Sequence, residues 1–153
     1  MKKGINIWSF PAGLSMEESI ALAKDAGFDG IELSLNETGP LGLESTAQEV
    51  RNIRQYADDT GIELSSLASG LYWDYPPTSE NKEVRAKAFD VAQKQLEFAA
   101  ELGVDTVLIV PGAVGVDFIP DAPVVPYDRA YDNALSFFSD LAKIAEAHKV
   151  SIG

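Results

Sequence analysis

The sequence predicts a parallel α/β fold in the order βαβαβαβαβ, and three observations carry that prediction. Short apolar runs alternate with helical patterns along the chain. Each of the first three helical patterns ends in a glycine, Gly27, Gly61 or Gly103. The junctions also resemble one another: AGFDGIEL, TGIELSSL, LGVDTVLI and HKVSIG. Helical crossovers between successive strands imply parallel pairing with right-handed connections.

The first strand is GINIW from Gly4. Ser15 and Glu18 then have the spacing of a capping box, and Met16, Ile20, Ala23 and Ala26 follow at helical intervals. GIELSL from Gly30 is the second strand. Thr46 and Glu49 repeat the capping device ahead of Val50, Ile53 and Ala57. IELSSLA from Ile62 is the third strand, and a helix from Asn81 to Leu102 carries the stripe Val84, Ala88, Val91, Gln95, Ala99 and Leu102. DTVLIV from Asp105 is the fourth strand. The helix after Tyr127 shows Tyr131, Ala134, Phe138, Leu141 and Ala145, and VSIG opens a fifth strand. The terminal glycines supply the left-handed backbone of a helix end without a Cβ clash.

Two architectures share this order. A doubly wound sheet is apolar on both faces and often carries a glycine-rich phosphate turn after its first strand. Here that connection is SFPAGLS, without GxGxxG. The strands are instead asymmetric. Ile5, Ile7, Ile31, Leu33, Ile62, Leu64, Val107, Ile109, Val150 and Ile152 form an apolar set. Their alternates, Asn6, Trp8, Glu32, Ser34, Ser65, Leu67, Ser69, Leu108, Val110, Ser151 and Gly153, are mixed. One face toward helices and one toward an interior is the pattern of a TIM (βα)8 barrel, which needs about 250 residues. The 153 residues supply (βα)4β. The expectation is the N-terminal part of a single barrel domain, truncated at strand five, with its C-terminal half absent.

Composition excludes several functions. Acidic residues outnumber basic ones, 24 to 12, for a formal charge of −12, which opposes a nucleic-acid backbone or an anionic membrane surface. No cysteine is present, so disulfides, thiolate metal sites and a cysteine nucleophile are excluded. Pro11 and Gly13 interrupt any apolar run after Lys2 and Lys3, leaving neither a signal peptide nor a membrane span at the start. A cytoplasmic location is the expectation.

Function in a barrel gathers at the C-terminal strand ends. The connections there are long: NETGPLGLES, SGLYWDYPPTSE, and PGAVGVDFIPDAPVVPY stiffened by Pro111, Pro120, Pro123 and Pro126. Glu32 alternates with Ile31 and Leu33 and so should point inward near the top of the second strand. An interior carboxylate must be paired, hydrated or metal-bound, as a functional group or as a brace between strands. Trp8 at the end of the first strand serves either as a platform for a sugar ring or as a core plug. Tyr72, Trp73 and Tyr75 could stack on a ligand or bury against a subunit neighbour. His148, the one histidine, falls at a helix end where it favours the dipole. No histidine dyad, nucleophile elbow or metal cluster is legible.

AGFDGIEL, VDTVLIVPG and YDRAYDNALSFFSDLAKIAEAHKVSIG together resemble the sugar phosphate isomerase/epimerase family, xylose-isomerase-like barrels that include ketose 3-epimerases and hexulose phosphate isomerases. The resemblance runs over essentially the whole chain, about the first half of a family member. It implies one divalent metal, commonly manganese, held by Glu, Asp, His and Glu from strands five to eight. The first of these would come two residues beyond Gly153. It further implies proton transfer next to a ketose or aldose carbonyl. This chain would then supply the opposite wall of a sugar or sugar-phosphate pocket: Trp8, Glu32, Ser69, Gly70, Trp73, Pro111 and Gly112. Glu32 and the Pro111–Gly112 pair match family segments; the others are placed by phase and loop position. The related apurinic endonucleases place histidines at early strand ends, one just before a Pro-Gly, where this chain has Val110. That argues against DNA repair.

Two hypotheses follow. In the first, the parent protein is a metal-dependent sugar or sugar-phosphate isomerase or epimerase, with no metal ligand, catalytic residue or cofactor expected in the 153 residues alone. In the second, the half-barrel is a non-catalytic sugar-binding or assembly module. Exposed strand edges and the mixed inner face invite pairing with another copy, so a homo-oligomer is expected.

Overall fold

Five parallel strands lie in the order in which the chain makes them, β1 (Gly4–Asn6), β2 (Gly30–Leu35), β3 (Glu63–Ser69), β4 (Thr106–Val107) and β5 (Ser151–Ile152). Between them run α1 (Met16–Asp25), α2 (Ala47–Thr60), α3 (Lys82–Leu102) and α4 (Tyr127–His148). The computed structural model describes residues 1–116, 119 and 122–153; the expected stiffening by Pro120 lies outside the described residues.

Local chemistry sets the helix ends. The Ser15–Glu18 and Thr46–Glu49 capping boxes are both formed, and the Asn81 side chain accepts from the Glu83 amide to start α3. Gly61 and Gly103 close α2 and α3 in the left-handed conformation. The fourth junction has no glycine, and Lys149 takes the left-handed position itself at φ 57°.

Each helix packs on its successor, and the helices cover one face of the sheet. Ile31, Leu33, Leu35, Leu67 and Val107 are fully buried on that side, against Ile20, Val50, Leu96 and Leu141 from the four helices. Asn6, Glu32, Ser66 and Thr106 on the other side are half-buried, and Leu108, Ser151 and Gly153 are exposed. One helix-covered face and one bare face are what a barrel wall requires and what a doubly wound sheet forbids.

Three expectations are corrected. β1 ends at Asn6, whose side chain accepts from the Trp8 amide at 2.7 Å and turns residues Ile7–Ser9 into a 3-10 turn; Trp8 therefore stands on a turn, not a strand. β3 carries a register shift: Ile31 pairs with Leu64 but Glu32 pairs with Ser66, skipping Ser65. A one-residue slip exchanges the two faces. Leu67 and Ser69 thus join the helix side, beside Leu33 and Leu35, and Ser66 and Ala68 turn inward. In α4, Tyr131 is exposed, and the buried stripe is Ala130, Phe137, Leu141 and Ala145. The small residues at Ala130 and Ala134 let the sequence fit either phase.

Candidate functional site

The bare face carries a polar row. Asn6, Glu32 and Ser66 are register partners on β1, β2 and β3. The Glu32 carboxylate accepts from Asn6 Nδ2 and, at 2.7 Å, from Ser66 Oγ. Thr106, the residue before the Val107 that pairs with Leu67, is paired in turn with Ser151. One polar side chain from each of five strands therefore shares a level. Glu32 sits mid-strand, four residues or about 13 Å of strand below Asn36, and not near the top as the alternation suggested. It braces three strands and is open enough to meet a ligand or water.

Above this row the strand ends form two hollows. A cleft of about 530 Å³ opens between the first two βα connections, lined by Trp8, Phe10, Ser15, Ser34, Asn36 and Pro40 among others. Trp8 is 55% exposed. A Cβ on Gly70 would lie 4.0 Å from Trp8 Cζ2, so the indole and Gly70 are neighbours across β2. Ser34 is almost fully buried, with one long contact, 3.5 Å to the Leu35 carbonyl.

The second hollow, about 150 Å³, lies between the third and fourth connections and is lined by Tyr72, Trp73, Thr78, Val84, Gly112 and Val125 among others. Gly112 has φ 106°, and a Cβ there would come within 3.1 Å of Thr78 Cβ and Cγ2. Thr78 Oγ1 donates to the Ala113 carbonyl at 3.2 Å, and Asn133 Nδ2 donates to the Thr78 and Ser79 carbonyls at 3.1 Å. These bonds clamp the two connections together and onto α4. Pro111 is exposed beside them.

The three loop aromatics part company. Tyr72 is fully buried; its hydroxyl donates to Gln95 Oε1 at 2.6 Å, and burial pushes its phenol far up. Gln95 Nε2 in turn donates to the Leu67 and Leu108 carbonyls at 2.7 and 3.1 Å. Trp73 is 42% exposed at the second hollow. Tyr75 reaches across to Glu37, whose charge beside the phenol raises its pKa; burial adds to the shift. Ser69 is buried, donating to the Leu35 carbonyl at 3.0 Å and accepting from the Leu71 amide, and so shapes the turn that carries Gly70 and Trp73.

The structure thus brings Trp8 to Gly70 and Trp73 to Gly112, places Glu32 on a lower level of the same face, and turns Ser69 toward the helices. Ser66, Thr78 and Asn133 were missed. Ser66 is hidden by the register shift, and the other two are ordinary polar residues without a local signal.

Among the described residues no group of three His, Cys, Asp or Glu comes together that could hold a metal ion. The described residues do not by themselves fit the divalent metal that the resemblance implies. No described helix is long and apolar enough to cross a membrane.

Comparison with known proteins agrees with this architecture. SgbU of Haemophilus influenzae is 26% identical over 141 residues, 91% of this chain and 46% of the relative. The L-ribulose-5-phosphate 3-epimerase UlaE of Salmonella paratyphi B is 28% identical over 139 residues, 90% of this chain and 45% of that protein. A D-psicose 3-epimerase crystallised in the presence of D-fructose superposes with a TM-score of 0.77 at 24% identity, over 99% of this chain and 51% of that one. An L-ribulose 3-epimerase also gives 0.77, at 20% identity, over 99% and 48%. The chain therefore spans about half the length of the relatives it matches. A family description, xylose isomerase-like TIM barrel, matches residues 20–153. With the sheet order, the bare inner face and this match in hand, the chain belongs to the xylose isomerase-like TIM barrel family.

Proposed function

We propose that residues 1–153 form the N-terminal part of one barrel domain, in a protein that isomerises or epimerises a ketose or aldose, free or phosphorylated, next to its carbonyl. In this proposal the divalent metal, manganese by the family resemblance, is held by the remaining strands, and this chain forms the opposite wall. The observation that carries the proposal is the bare sheet face, with a polar row at mid-height and two half-exposed tryptophans at its C-terminal rim.

Each residue then has a physical task. Trp8 and Trp73 offer flat apolar faces to the C–H side of a sugar and shield it from water. Gly70 leaves room for the Trp8 ring, and Pro111 with Gly112 shapes the fourth strand's exit. Ser69 acts from behind by holding the Gly70 turn. Glu32, braced by Asn6 and Ser66, sets the polarity of the pocket floor. A panel of ketoses and their phosphates, with manganese added to the full barrel, tests the proposal. Turnover by proton exchange at the carbon beside the carbonyl is expected, and no turnover on any member of the panel contradicts it.

For residues 1–153 taken alone, without the remaining strands of the barrel, self-association is expected. Val124, Tyr127, Tyr131 and Leu135 are 76%, 67%, 57% and 56% exposed along α4 and the segment before it, and both sheet edges are unpaired among the described residues. A second copy of the chain would cover such surfaces. Light scattering on residues 1–153 alone should give at least a dimer; a stable monomer counts against this part.

A further inference from the structure

The connections that follow β3 and β4, residues 70–81 and 108–126, are joined through one side chain. Thr78 is 5% exposed and bonds at both of its ends. Its hydroxyl donates to the Ala113 carbonyl in the fourth connection at 3.2 Å, and its own carbonyl accepts from Asn133 Nδ2 of α4 at 3.1 Å. The Val125 amide donates to the Val114 carbonyl at 2.8 Å, just before α4 begins at Tyr127. These bonds close a ring. It runs from Thr78 to Ala113, through Val114 to Val125, along the start of α4 to Asn133, and back to Thr78.

Two further contacts leave the ring little slack. Gly112 lies so close to the Thr78 side chain that a Cβ would come within 3.1 Å of Thr78 Cγ2. The Ser79 carbonyl accepts from Asn133 Nδ2 at 3.1 Å and from Arg85 Nη1 at 2.6 Å. The second of these is a charge-assisted bond that ties the ring to α3. Trp73, Thr78 and Gly112 all line the second hollow, so the joint sits in its wall.

From this closed ring we infer that the third and fourth connections move as one body, and that Thr78 is a positioning residue for the substrate. The inference rests on the proposed function and deepens it. Thr78 acts through Trp73 and the Pro111–Gly112 exit, not by contact at the reacting carbon. The Ala113 residue is half-buried, so its carbonyl can turn to water when the donor is lost, and the fold survives. The two walls then part for a fraction of the time. Only the joined arrangement presents both walls to a sugar, so the apparent affinity falls by that fraction. A bound substrate restores the joined arrangement, and proton transfer on the opposite wall keeps its rate.

The test uses the full barrel with manganese and a ketose that the wild type turns over. Thr78→Val keeps the shape and removes the hydroxyl; Thr78→Ser keeps the hydroxyl. Thr78→Val should raise KM about three- to tenfold and leave kcat within about twofold, and Thr78→Ser should restore KM. Hydrogen exchange, which needs no substrate, should quicken in both 70–81 and 108–116 for Thr78→Val. Asn133→Leu opens the ring at its other joint and should quicken the same two segments, so the test stands even if Thr78→Val does not fold. Equal KM for the Val and Ser variants, a fall in kcat and Tm without a change in KM, or faster exchange in one segment alone overturns the inference. No wild-type turnover on any ketose of the panel removes the proposed function and the substrate role of Thr78 with it. Shared quickening of exchange still supports the one-body coupling in that case, and quickening in one segment overturns that too.

Discussion

Replacing Gln95 tests how the two site-bearing connections are held. Its side chain is fully buried, accepts from Tyr72 Oη at 2.6 Å, and donates to the Leu67 and Leu108 carbonyls at 2.7 and 3.1 Å. The β3–β4 ladder is short, with Leu67 paired to Val107, so Gln95 supplies cross-strand bonding that the backbone does not. Gln95→Leu keeps the volume but strands three polar groups. A buried unpaired group costs about 1–3 kcal/mol. The Leu108 carbonyl is only part-buried in this contact and can recruit water, so the total is about 3–5 kcal/mol. Tyr72→Phe removes one donor and should cost about 1–2 kcal/mol. The two act through one bond, and Tyr72→Phe in the Gln95→Leu background removes the hydroxyl left stranded there, so it should recover about 1–3 kcal/mol, giving a coupling of about 2–5 kcal/mol. Urea unfolding followed by circular dichroism reads all four corners of the cycle. A Gln95→Leu cost below about 1 kcal/mol, or strict additivity, would refute the strut.

Other perturbations follow from single positions. Gly112→Ala forces a side chain onto φ 106° and against Thr78; about 1–3 kcal/mol should be lost, read as a lower Tm. Lys149→Gly relieves a left-handed non-glycine residue and should stabilise by about 1 kcal/mol, again read from Tm. The Glu49 carboxyl is held below its usual range by the Thr46 amide first and the Thr46 hydroxyl second. Its contribution to α2 is therefore present above the ordinary carboxylate range and lost as pH falls through the lowered value. Glu49→Gln should flatten that part of the acid limb in a stability-against-pH profile, and an unchanged limb would show that the box contributes nothing.

Much of the fold was legible because it depends on local chemistry. Ser15, Thr46 and Asn81 announce helix starts, Gly61 and Gly103 announce helix ends, and the alternation in GIELSL separates the two faces of β2 correctly. What was not legible depends on pairing between distant segments. The shift at Ser65 arises from how β3 meets β2, and two adjacent serines carry no hydrophobic contrast to mark it. Tyr72 reads as a loop aromatic because its partner, Gln95, lies 23 residues away on α3. Lys149 gives no warning of a left-handed turn, which closes through the Lys149 and Val150 amides donating to the Glu146 and Ala145 carbonyls. The site followed the same division. Glu32 was found by its place in a strand, whereas Ser66 and the Thr78–Asn133 clamp required the assembled structure.

The decisive measurement is a crystal structure of the full barrel with a bound ketose. The sugar should sit over the bare sheet face, within van der Waals contact of the Trp8 and Trp73 rings and above the row that joins Asn6, Glu32 and Ser66. A sugar bound on the helix-covered side, or a pocket in which both indoles remain remote from the ligand, would contradict the assignment of this face as the wall of the pocket.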